Sequence, residues 1–133
     1  MQIQFVRAGG FAGPATRVAG ALTFEDSTAR VTSDGTGYHR DLPASEAEPL
    51  RTAARAVALD KEQGAPGGSP SVPDAFEYRI TITPEDGKPF TLTVHGESAS
   101  PEVSRLPPKT AYLVRCVQQE AQAIWQYRLQ NRP

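Results

Sequence analysis

The chain has 133 residues, 14 of them lysine or arginine and 15 aspartate or glutamate, for a net charge of −1. That length suits one domain, 1–133, with a core able to stand without metal or disulfide. The charge balance argues against a nucleic-acid or anionic-membrane partner, and the single cysteine, Cys116, excludes an internal disulfide and points to a reducing compartment.

The first stretch, Gln2 to Arg7, alternates polar and apolar residues and reads as a short strand. Gln2 and Gln4 interrupt its apolar character, so it does not read as a secretory segment. No run approaches the roughly 20 apolar residues of a membrane span. The expectation is a cytoplasmic protein with no membrane partner. The string RAGGFAGPATR, positions 7–17, follows, with Phe11 among the glycines of a turn, and a second strand can begin at Thr16.

Residues 20–42 read as an insertion or loop, with room for a small extra hairpin through Leu22/Phe24 and Ala29/Val31. Next, Ser45 with Glu48 has the spacing of a capping box. Behind it, Ala47, Leu50, Ala54 and Val57 share one helical face. Pro49 is tolerable there if it falls in the first turn, whose amides have no helical partners. Residues 60–75, rich in Gly, Pro and Ser, read as a mobile connector or second insertion.

The clearest element is a hairpin. Phe76, Tyr78, Ile80 and Ile82 alternate with polar residues, and Phe90, Leu92 and Val94 repeat the pattern after a turn at Asp86-Gly87. A second helix follows Pro107-Pro108. It carries Val114, Val117, Ala121, Ile124 with Trp125, and Arg128 on one stripe, with Arg115, Gln118, Gln119, Gln122 and Gln126 over much of the remainder. The order β-β-α-β-β-α predicts an α+β fold: an antiparallel sheet of two hairpins, with both helices on one face and the other face wet.

Catalytic groups are sparse. His39 and His95 lie in unrelated segments, without the spacing of a zinc site, which needs three or four His, Cys or carboxylate ligands. His39 with Asp41 and a remote carboxylate is the one metal arrangement that can be imagined. Cys116 reads as a small half-buried hydrophobe on its helix. The glycine string at 9–13 lacks the Lys-Ser/Thr pair of a phosphate loop. No catalytic residue, metal site or cofactor is therefore expected, and an enzyme is disfavoured. Phe11 has two readings: it anchors in a partner's pocket, or it folds back over the end of its own core.

The string R-x-G-G-F-A-G after an N-terminal strand, a helix rich in Glu, Leu and Arg, the run F-x-Y-R-I-T-I…D-G…T-L-T-V and a C-terminal helix together resemble the emfourin family. Emfourins are small protein inhibitors of protealysin, a thermolysin-like bacterial metallopeptidase. The resemblance implies an intracellular inhibitor that occludes the cleft around its target's zinc, itself held by two histidines and a glutamate. The residues carried over as a protease-binding loop are Arg7, Gly9, Gly10, Phe11, Ala12 and Gly13. The implied partner is a thermolysin-like metallopeptidase, and the free chain is expected to be a monomer. Segments 20–42 and 60–75 look longer than the family pattern. The alternative is a non-catalytic adaptor that binds another protein through the Phe11 loop or the polar sheet face.

Overall fold

Alternation in the first nine residues builds the centre of the molecule. Ile3, Phe5 and Arg7 point to one side of strand β1 (Gln2–Gly9) and are buried, while Gln4 points to the other and is exposed. The computed structural model describes residues 1–9, 17–33, 35, 37–59, 76–85, 87–95 and 106–130. Within them lie β2 (Val18–Glu25), β3 (Thr28–Ser33), β4 (His39–Leu42), α1 (Ala44–Leu59), β5 (Phe76–Thr83), β6 (Phe90–His95) and α2 (Pro108–Gln130). The strands form one six-stranded sheet in the order β4-β3-β2-β1-β5-β6, and each neighbouring pair is antiparallel.

The sheet is the predicted α+β arrangement, with the two hairpins joined through β1. That strand pairs with β2 on one edge and β5 on the other, as Phe5 faces Gly20 and Ile80. The 20–42 segment is β-structure throughout most of its length. Leu22 pairs with Val31 and Phe24 with Ala29, which is the small hairpin the alternation suggested. Asp26 closes it at φ 46°, a left-handed conformation that Asp adopts more readily than most residues. β4 then adds a further strand on β3, with Arg40 opposite Val31 and Asp41 opposite Arg30. The 60–75 connector lies outside the described residues.

The hairpin of β5 and β6 has the predicted faces. Tyr78, Ile80, Ile82, Leu92 and Val94 are buried, and Ile80 pairs with Leu92. Thr81 and Thr91 sit on the opposite face, their hydroxyls 2.9 Å apart. Both helices cover the apolar face: α1 contacts β3 and β4, α2 contacts β1 and β2, and the helices pack on each other. Each fully buried aliphatic or aromatic side chain there contributes roughly 1.5–3 kcal/mol relative to exposure.

Two local expectations need correction. Helix α1 starts one residue ahead of the supposed cap. The Pro43 carbonyl accepts from the Glu46 and Ala47 amides, at 3.0 and 2.9 Å, so Pro43 is the N-cap and Ser45 lies inside the helix. Pro49 therefore sits beyond the first turn, and without an N–H it cannot bond the Ser45 carbonyl. On α2, Gln118 is buried instead of exposed, and so is Glu120. The single-stripe reading assumed one packing partner, whereas α2 meets both the sheet and α1.

Candidate functional site

The Arg7–Gly13 string begins on the last residues of β1, and its first residue is the largest fully buried side chain in the described structure. Arg7 continues the Ile3–Phe5 phase, so strand geometry points it beneath α2. It is 2 % exposed, and its guanidinium lies 4.5 Å from the Phe76 ring centre and 5.7 Å from that of Trp125. Its Nη1 donates to Gln122 Oε1 at 3.3 Å. Aromatic faces carry negative quadrupole density, which offsets part of the cost of burying a cation. Arg7 is therefore an internal anchor at the root of the string.

Gly9 ends β1 at φ 91°, a region where a Cβ is strained, so glycine is suited to the point where the chain leaves the sheet. Gly10, Phe11, Ala12 and Gly13 lie outside the described residues. On the far side of the string, the Arg17 carbonyl accepts from Arg128 Nη2 at 2.8 Å, and the Arg128 guanidinium lies 5.5 Å from the Trp125 ring centre. The C-terminal part of α2 thus holds both ends of the segment, through Gln122 and Trp125 at Arg7 and through Arg128 at Arg17. Sequence reasoning placed Trp125 in the core but did not connect it to the loop.

The residues weighed for metal or catalysis are not brought together. His39 is on β4 and His95 on β6, the two outer strands of the sheet. Five strand spacings separate them, about 24 Å. Asp41 pairs with Arg30 at 2.7 Å, and the Arg30 hydrogen bond and charge hold its carboxyl below the ordinary aspartate value. His39 Nδ1 lies 3.5 Å from the Gly37 carbonyl. Among the described residues no group of three or more His, Cys, Asp or Glu is placed to hold a metal ion. No described helix is long and apolar enough to cross a membrane.

Cys116 is half-buried on α2, and burial pushes its thiol up from the ordinary value. The folded chain thus binds this proton more tightly than the unfolded one, so the thiol weakens folding only as pH rises above the unfolded thiol's pKa. Iodoacetamide is expected to label the native protein several-fold more slowly than the urea-unfolded chain at pH 8, since the thiolate is the nucleophile. Equal rates would place the thiol in water.

A family model described as Emfourin matches residues 28–110. The span runs from β3 through the start of α2 and leaves out β1, β2 and the Arg7–Gly13 string. No curated protein and no solved structure matches the chain. The matched span holds the β3–β4–α1 unit, the β5–β6 hairpin and the entry to the second helix, more than half of the sequence, and by that measure this chain belongs to the emfourin family.

Proposed function

We propose that the protein inhibits a thermolysin-like zinc metallopeptidase by occluding its active-site cleft, with the segment around Phe11 as the inserted element. Emfourin membership over residues 28–110 carries the reading, being consistent with a protease-inhibitor role and implying a metallopeptidase partner in general. The anchoring of both ends of the 7–17 segment supports the choice of that segment. A binding loop with fixed ends loses less conformational entropy on docking. An interface of standard size buries about 800 Å² on each partner, within reach of a few loops of this domain.

In this reading Gly10, Phe11, Ala12 and Gly13 face the peptidase, while Arg7 and Gly9 hold the base of the loop. The inhibitor works without catalytic groups or cofactor, as a monomer, in the bacterial cytoplasm beside its target. The test titrates purified protein against several thermolysin-like peptidases and follows residual hydrolysis. Stoichiometric loss of activity is expected against at least one, and retention of full activity in all of them at micromolar inhibitor would sink the reading. Phe11→Ala is expected to weaken inhibition about 30-fold, the scale of a hot-spot aromatic, with the melting temperature unchanged. A large fall in melting temperature with inhibition intact would instead assign Phe11 to the protein's own core.

A further inference from the structure

The Arg7–Gly13 string has seven residues, and Arg7 among them is buried. An inhibitor contact of standard size engages roughly 20–30 residues on each side, so other segments share it. Topology says which segment stands nearest. β1 ends and β2 begins at one end of the sheet, and antiparallel pairing brings the end of β3 and the start of β4 to that same end. The turn from Ser33 to Tyr38 thus leaves the strand next to the one that Arg17 leads into.

This turn is held from behind and open in front. The Ser33 amide donates to the Tyr38 carbonyl at 3.2 Å, which closes it. The Tyr38 ring meets the Tyr127 ring edge to face, with centres 5.3 Å apart. Such a contact is worth about 0.5–1.5 kcal/mol beyond its buried area. Arg40, two residues on, donates to Glu120 of α2. Tyr127 and Arg128 are consecutive on α2, so one turn of that helix fixes both this segment and, through the Arg17 carbonyl, the end of the 7–17 string. At the tip, Gly35 and Gly37 are exposed, and a Cβ on either would have no described atom within 4 Å. His39 beside them is exposed as well.

The turn also lies inside residues 28–110, the span shared with emfourins, whereas the 7–17 string lies outside it. The connections after β4 and β5 are inside that span too, but antiparallel pairing puts them at the opposite end of the sheet. We infer that the turn after β3, presenting Gly35, Gly37 and His39, is a second element of the metallopeptidase interface, beside the 7–17 segment. The inference rests on the inhibitor reading, which supplies the partner. Without side chains at Gly35 and Gly37 the peptidase surface approaches the backbone itself. The His39 Nδ1 faces the Gly37 carbonyl at 3.5 Å, which leaves Nε2 for the partner. Because the turn is closed and anchored, docking costs it little conformational entropy.

The full-length ¹⁵N-labelled protein is mixed with an excess of a thermolysin-like peptidase that it inhibits, and its amide spectrum is compared with that of the free chain. The Gly35, Gly37 and His39 amides are expected to shift, while Gly87, on the turn at the other end of the sheet, stays in place. Substitution at the glycines is strained by their φ of 78°, so the variant is made at the exposed histidine. His39→Ala is expected to weaken inhibition about fivefold, below the scale of a hot spot, with the melting temperature unchanged. Unmoved Gly35 and Gly37 amides in the complex, or wild-type potency of His39→Ala, would overturn the inference and leave the inhibitor reading standing. Failure of the wild-type chain to inhibit any such peptidase would overturn both.

Discussion

Gly20→Ala is expected to destabilise the protein by about 2–3 kcal/mol, as overpacking of a filled core does. Gly20 lies on the helix-facing side of β2, opposite Phe5. A Cβ there would come within 2.7 Å of the Phe5 ring, 2.8 Å of the Thr32 carbonyl oxygen and 3.1 Å of the Ile124 side chain. The Phe5 ring could turn and Ile124 could change rotamer, but the Thr32 oxygen belongs to the neighbouring strand and yields only if β3 moves. Glycine is required here by close approach, since the Phe5 ring occupies the space a side chain would fill. Urea unfolding followed by Trp125 fluorescence measures the loss. A midpoint within error of wild type would show that the sheet accommodates the methyl group.

Arg7→Ala should cost about 3 kcal/mol or slightly more, in the range of large-to-small changes in a core. The substitution removes the contacts with Phe76 and Trp125 and leaves Gln122 without its donor. Arg7→Lys is expected to recover little of this. An ammonium is not planar, stacks poorly on rings and is more strongly hydrated than a guanidinium. Thermal unfolding of the three proteins separates the effects, and a lysine variant as stable as wild type would show that charge alone is what the site needs. Because Arg7 roots the 7–17 segment, the alanine variant is also expected to inhibit a susceptible peptidase more weakly at temperatures where it remains folded.

These two positions show what the sequence revealed and what it hid. The β5–β6 hairpin was legible because alternation in both runs specifies one buried face, and the structure keeps the phase from Tyr78 to Val94. The helices were legible from Ala47, Leu50 and Ala54 and from Val114, Val117 and Ala121, all buried as their spacing required. β4 was not, because His39-Arg40-Asp41 carries no apolar alternation. It joins the sheet through pairing with β3, through Leu42 in the core and through Arg40 reaching Glu120 on α2. The burial of Gln118 and Glu120 depends on two helices lying side by side, which no single helical wheel contains.

The candidate site was legible in a different sense. The Arg7–Gly13 string stood out because an aromatic among glycines is unusual, but the burial of Arg7 did not. A cation at the end of an alternating strand reads as solvated, and only its phase with Ile3 and Phe5, beside a distant tryptophan, could have hinted otherwise. Glu120 gave no signal at all. Its glutamate sits in a run of glutamines on a helix, and its partner Arg40 is 80 residues away.

The central position of β1 bears on how the chain acquires its fold. On the ribosome β1 is made before both of its partners, and β2 follows soon after to pair with one of its edges. The other edge must wait for β5, about seventy residues later, which at cellular synthesis rates is roughly 4–14 s. Until then the β5-facing side of β1 carries an unsatisfied row of amides and carbonyls along what will become the middle of the sheet, the kind of edge that recruits other chains. The second half of the molecule therefore protects the first, and a ribosome stalled between α1 and β5 would leave a product prone to self-association.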